Sequence, residues 1–244
     1  MKKLISAEFI KVQWWLIIFL ILLDLVVNVL LGISDFNMLT EYYEPTWSNF
    51  FMYTLNFHAM FFYPLFSGII AALICSYEHR SGGWKQVLSL PYTRTSIYLS
   101  KYIMLLLILA FIHILFFVVT IASGYIVQVE GTIDWFFVLK SLLLGWISVF
   151  PLTAIQLWFS TTFKSFGIAF SLNIIFVLPN IIFSGIHSLI GMWNPFILPF
   201  YAMIPQGAPF SPRIENVSLS IFILLSSILF VVIGIKYFKK REFI

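Results

Sequence analysis

The stretch EHRSGGWKQVLSLPYTRTSIYLSK, residues 78–101, gathers a Glu, a His, two Arg, two Lys, a Gly-Gly pair and a Pro between two long apolar runs. A run of about 20 apolar residues can cross a hydrocarbon core roughly 30 Å thick, and such runs recur along the chain. A polar island between two of them reads as a loop joining two membrane spans. Gly82-Gly83 breaks the continuation of the first run, and Pro91 stops whatever follows. Between them, WKQVLSL has room for about two helical turns, with Trp84, Val87 and Leu88 on one face and Lys85, Gln86 and Ser89 away from it. Thr93 or Thr95 is placed to cap the next helix, whose first turns carry Lys101.

Working outward, the 244 residues are 61% hydrophobic and only 10% charged. A soluble domain carries about 25% charged residues, so the composition excludes that class. The apolar runs are continuous rather than alternating, which argues against a β-barrel. The expected fold is all-α and integral to the membrane, with six spans at about 14–33, 55–77, 97–121, 135–160, 166–190 and 217–237. Trp14, Trp15, Trp47, Trp135 and Trp193 fall near the predicted ends, where aromatic rings favour the headgroup level. MKKLISAEFIKVQ precedes an apolar run too long for a signal core and without a small-residue cleavage site, so that run reads as a retained first span. Cys75 stands alone and forms no internal disulfide. No internal repeat or appended soluble domain is visible, and residues 1–244 read as one membrane domain.

Charge sets the orientation. Lys2, Lys3 and Lys11 precede the first span; Arg80, Lys85, Arg94 and Lys101 lie between or beside the second and third. Lys164 joins the fourth and fifth, and Lys236, Lys239, Lys240 and Arg241 follow the sixth. Six spans place all of these on one side, and loops rich in Lys and Arg stay cytoplasmic. The opposite loops carry Asp35, Glu41, Glu44, Glu130, Asp134 and Glu215, with Arg213 as their clear base. Both termini and the 78–101 loop are expected inside. The outer segment 191–216 is apolar enough for a seventh span but contains five prolines, which break a helix ladder. It is expected to form short re-entrant or interfacial segments.

Several polar groups fall inside the runs. Asp24 lies near the middle of the first span, with Asn28 one turn along the same face. A carboxylate at that depth usually faces a bundle interior or cavity, so Asp24 and Asn28 are candidates for a substrate path, against the alternative of a packing role. His58, His113 and His187 lie in the outer halves of their spans, but their spacing is unrelated and no close carboxylate is evident. They read as structural, and no metal is assigned. Lys140 is expected to snorkel outward, Asn173 and Asn180 to hydrogen-bond within the bundle, and Pro64, Pro151 and Pro179 to kink three spans.

The loop itself supports two readings: an inside loop whose basic residues only fix topology, or a docking helix whose aromatic knob enters a groove of a cytoplasmic partner. EHRSGGWKQVLSLPYTRTSIYLSKYI resembles the cytoplasmic loop of type-2 ABC exporter permeases. There an acidic residue ends the second span, followed by a Gly- or Asn-containing turn, a short coupling helix, a Ser-Leu-Pro stretch, a basic residue and a Lys opening the third span. Glu78, Gly82, Trp84, Lys85, Leu88, Pro91, Arg94 and Lys101 occupy those positions. The length, six spans, an AEFIK-type helix ahead of the first span and the basic ending KYFKKREFI fit as well. Within the class the likeness is greatest to the bacteriocin and lantibiotic self-immunity group.

The resemblance implies a permease subunit of the bacterial cytoplasmic membrane, pairing with a second permease chain, identical or different. It also implies cytoplasmic ATP-binding subunits that carry ATP and Mg, with no cofactor on this chain and no nucleic acid as partner. Coupling to the ATPase would run through Glu78, Gly82, Gly83, Trp84, Lys85, Val87, Leu88, Pro91, Arg94 and Lys101. The implied cargo is an amphipathic antimicrobial peptide expelled outward. Alternatives are export of lipids, drugs or another hydrophobic compound, a secondary transporter, or a peptide-sensing membrane subunit. Independently of the resemblance, no Gly in the chain is followed by Lys, so a Gly-Lys-Ser/Thr phosphate loop is absent. His-Glu-x-x-His and Gly-x-Ser-x-Gly motifs are absent too. The chain reads as a transport subunit rather than an enzyme, its energy arriving from another polypeptide or an ion gradient.

Overall fold

The computed structural model describes residues 1–40, 42–80, 82–184, 191–204 and 216–242. Among them, structure is helical apart from turns and one isolated β-bridge between Thr46 and Glu130. Six helical stretches are long and apolar enough to cross a membrane: Trp14–Leu39, Trp47–His79, Arg94–Ile126, Trp135–Thr162, Phe166–Ser184 and Val217–Lys240. The expected six spans are all present, and most are longer than the apolar runs alone suggest.

The chain opens with α1 (Lys2–Lys11), which ends where Val12 turns extended. Helix α2 (Trp14–Leu39) follows as the first span. It runs past Ile33 because Phe36 is buried edge-on against Phe50, with ring centroids 5.3 Å apart. The second span begins eight residues before the expected Leu55, at Trp47. Ser48 in its first turn is exposed, whereas Thr54 faces inward and its Oγ1 donates to the Phe50 carbonyl at 2.9 Å. This span consists of α3 (Trp47–Phe57), a π-helical stretch (His58–Phe62) and α4 (Tyr63–His79). Pro64 has no N–H to reach the Met60 carbonyl four residues back; Asn180 Nδ2 donates to that carbonyl instead, at 2.9 Å.

A tight turn at Gly82, with φ +71°, leads into the six-residue α5 (Gly83–Leu88). Glycine is suited to that left-handed backbone. Thr93 then caps α6 (Arg94–Ile126), its side chain accepting from Ser96 N. At 33 residues and 1.5 Å per residue, α6 is about 50 Å long, so it projects beyond a hydrocarbon core.

The fourth span divides at Val149 into α7 (Trp135–Ser148) and α8 (Phe150–Thr162), just before Pro151. The fifth divides around Pro179 into α9 (Phe166–Val177) and α10 (Asn180–Ser184). Each of the three prolines therefore marks an interruption in its span. After a 3₁₀ turn at Gly191–Trp193, α11 (Leu198–Met203) is buried against α7. Lipid tolerates broken backbone only where protein or water covers it, and burial of Leu198, Tyr201 and Met203 supplies that cover. The remainder of the proline-rich segment, and His187, lie outside the described residues. The sixth span is α12 (Asn216–Lys240).

The second span occupies the middle of the bundle: α4 packs against α6, α8 and α9. Asparagines serve as cross-braces around it. Gln156 Nε2 donates to Asn173 Oδ1 at 2.5 Å, Asn173 Nδ2 to the Leu65 carbonyl at 2.6 Å, and Asn180 Nδ2 also to the Phe196 carbonyl. At one end of the bundle α1, α5, the start of α6 and the end of α12 converge. Arg94 Nη1 donates to the carbonyls of both Lys239 and Arg241 there.

Candidate functional site

Beneath α5 lies a group of four charged side chains from three helices. Lys101, on α6, is fully buried. Its Nζ stands 2.8 Å from Glu8 Oε2, 2.9 Å from Glu78 Oε2 and 3.3 Å from the Ile74 carbonyl. Lys11 Nζ completes the set at 2.8 Å from Glu78 Oε1 and 3.3 Å from Glu8 Oε1. Two ammoniums alternate with two carboxylates, so the group is neutral as a whole. A buried ion costs several kcal/mol unless well paired; here each carboxylate bridges both lysines. The effect is to join α1, the end of α4 and the start of α6.

Trp84 closes this group from the α5 side, its ring 5.4 Å from Lys101 Nζ. Only 4% of Trp84 is exposed. Its Nε1 donates to His79 Nδ1 at 3.1 Å, and His79 Nε2 donates to the Ser160 carbonyl at 2.7 Å. The two bonds are compatible with one neutral tautomer of His79, protonated on Nε2. The Trp84 ring also meets Phe238 of α12 at 5.4 Å, nearly edge-on. Gly83 is needed for this close approach, because a Cβ there would stand 2.8 Å from Glu78 Cα.

The division of α5 into an apolar and a polar face holds, but the faces point opposite to the expected docking mode. Trp84 is buried in the chain's own core, and Val87 and Leu88 are half-buried against it. In this structure Trp84 is thus packed within the chain rather than presented as an aromatic knob. What α5 and its ends expose is Gly82, Lys85, Gln86, Ser89, Leu90 and Pro91. Among the other residues expected to couple, Glu78 and Lys101 are buried in the charge group, and Arg94 binds carbonyls at the end of α12. Glu8, Lys11 and His79 belong to the same arrangement and were not singled out by the sequence. The Glu8/Lys11 spacing within AEFIK was the available signal.

A second buried polar group lies within the first three spans. Asp24 and Asn28 are buried, and Asn28 Nδ2 donates to Asp24 Oδ1 at 2.6 Å. His58 Nδ1 lies 2.8 Å from Asp24 Oδ2, and His58 Nε2 lies 3.2 Å from His113 Nδ1. The expectation that no carboxylate stands near the histidines is thus corrected: Asp24 does, brought by the packing of α2 on the second span. No set of side chains able to hold a metal ion occurs among the described residues. Lys140 lies at a cleft of about 500 Å³ shared with Glu130 and Asp134.

The family model described as ABC-2 family transporter protein matches residues 4–180. That match takes in the charge group, α5 and the Asp24 group. No curated protein matches the chain. With six apolar spans and a match over most of its length, the chain belongs to the ABC-2 transporter family, as a multi-pass membrane permease subunit of the cell membrane.

Proposed function

We propose that this permease subunit exports an amphipathic antimicrobial peptide, driven by ATP hydrolysed on a separate cytoplasmic subunit. The observation that carries the energy-coupling part is the attachment of α5. A six-residue helix is fixed through Trp84 to α4, α6 and α12 at once. Its outer face, Lys85, Gln86 and Ser89, is left exposed. A partner pushing on that face must move three spans together, because packed interfaces switch between arrangements rather than deform freely. The charge rule puts this end of the bundle in the cytoplasm, where an ATP-binding subunit with its Mg would dock.

The lack of a phosphate-binding loop supports the same division of labour. The first, fifth and sixth spans have the smallest share of buried residues in their apolar stretches and leave broad apolar faces for lipid, for a second permease chain and for a hydrophobic cargo. Likeness to the self-immunity group supports a cationic peptide as that cargo, with the acidic far-side residues Glu130 and Asp134 attracting it.

Two observations test the reading. An ATP-binding subunit is expected to co-purify with the chain and to be released by Lys85→Glu with the permease still folded. Cells lacking the gene are expected to become more susceptible to a panel of lantibiotics. Unchanged susceptibility would remove the peptide cargo and leave export of lipids or drugs as the alternative.

A further inference from the structure

Asp24, His58 and His113 form an unbroken hydrogen-bonded line across the first three spans, and its end is bare. His58 uses both ring nitrogens, Nδ1 toward Asp24 Oδ2 at 2.8 Å and Nε2 toward His113 Nδ1 at 3.2 Å. All three side chains are fully buried. His113 Nε2 is buried and makes no hydrogen bond. Around the line, Tyr63 stacks on both imidazoles and donates its hydroxyl to the Leu109 carbonyl, and Phe116 stacks on His58 at 3.8 Å. The described α7 and α11 residues closest to Nε2 are uncharged: Gly145, where a Cβ would stand 2.7 Å from it, and Met203 beside Gly145.

We propose that this line is an intramembrane proton site, loaded at His113 Nε2 and storing its proton on Asp24. With Asp24 ionised and both rings neutral, His58 Nδ1–H donates to Asp24 and His113 Nδ1–H donates to His58 Nε2. His113 Nε2 is then left with a lone pair, which is the atom found without a partner. A hydronium ion can transfer its proton to that lone pair and leave as water. His113 Nδ1–H passes to His58 Nε2, and His58 Nδ1–H passes to Asp24 Oδ2. One proton has entered, Asp24 has become a neutral acid, and both imidazoles are neutral in the opposite tautomer. The hydrogen bonds remain with donor and acceptor exchanged, and Asn28 still donates to Oδ1. No side chain of the line has to change its partner.

Two further features fit a site of this kind. An uncompensated carboxylate is costly at such depth, so taking up one proton neutralises the group. His58 also opens the π-helical stretch of the second span, a local irregularity frequent at functional sites. Ser141, one turn before Gly145 on α7, borders the cleft that holds Glu130, Asp134 and Lys140, and a proton reaching the buried His113 Nε2 from there requires α7 and Met203 to part transiently. Once the His113 ring is protonated, the Ser141 backbone is placed to accept from it.

The test is infrared spectroscopy of the full chain in lipid nanodiscs, with no ATP-binding subunit present, so its outcome is independent of the transport reading. A fall in pH is expected to raise a carboxylic-acid C=O band that shifts in deuterium oxide and is absent in Asp24→Asn. Should Asp24→Asn fail to fold, ¹³C-aspartate labelling of the Asp35→Asn/Asp134→Asn double variant leaves Asp24 as the one labelled carboxyl and assigns the band. In His113→Asn, the amide can keep the bond to His58 Nε2 but has no second nitrogen to take up a proton. Protonation of Asp24 is then expected to slow by about tenfold or more. Absence of any aspartic-acid band, its survival in Asp24→Asn, or a wild-type rate in His113→Asn would overturn the proposal.

Discussion

Lys101 Nζ stands 2.8 Å from Glu8 Oε2, joining the third span to a helix that precedes the first. With Glu78 and Lys11 it makes a neutral group that holds three helices at the end of the bundle where α5 sits. Removing one partner from such a group leaves an unpaired buried charge, which costs about 3–5 kcal/mol. Lys101→Met is therefore expected to lower thermal stability in detergent sharply. Adding Glu8→Gln to Lys101→Met removes one of the two stranded carboxylates and is expected to recover part of the loss. Fluorescence-detected size exclusion after heating compares the two; no recovery in the double variant would mean that packing, not charge pairing, dominates the site.

Trp84 and Gln86 are two residues apart and should behave in opposite ways. Trp84 is buried and hydrogen-bonded to His79, so Trp84→Ala is expected to cost about 3 kcal/mol or more through the cavity it leaves. Trp84→Phe keeps most of the volume and loses the bond to His79 Nδ1, at about 1 kcal/mol. Gln86 is exposed, and Gln86→Ala is expected to leave stability within about 0.5 kcal/mol of the parent. Thermal midpoints of the three variants in one detergent check the order.

Asn180 bridges the irregular parts of the bundle. Its side chain donates to the carbonyls of Met60 and Phe196 and accepts from Asn194 Nδ2 at 3.0 Å. Asn180→Leu leaves these groups without that partner in a buried setting, at about 1–3 kcal/mol. Asn180→Asp keeps an acceptor for Asn194 but cannot donate while ionised, so it is expected to be at least as damaging. Hydrogen exchange of the second span around the π-helical stretch is the direct measurement, with faster exchange expected in both variants.

Much of this architecture is readable from the sequence, because apolar length and Lys/Arg asymmetry are properties of one chain segment at a time. The six spans, the helix between Gly82 and Pro91, the Thr93 cap and the bracing by Asn173 and Asn180 are all of that kind. What escaped depends on which helices meet. Glu8 and Lys101 are far apart in sequence, and nothing local says that they face each other. The same holds for Asp24 and His58, which span spacing alone cannot bring together. For Trp84, periodicity correctly gathered the apolar face of α5, but periodicity is silent on whether such a face points to a partner or to the chain's own core. Here Phe238 and His79 occupy that side.

The central claim is that the outer face of α5 receives the ATP-binding subunit while its Trp84 face stays inside the permease. The native Cys75 is buried, so single cysteines introduced at Lys85, Gln86 or Ser89 can be probed by cross-linking in native membranes. The account predicts cross-links from all three positions to an ATP-binding subunit, weakened when nucleotide-driven closure shifts the helix, and none from Cys75. Cross-links confined to lipid-facing positions on the spans, with α5 accessible and unreactive toward any ATP-binding subunit, would contradict it.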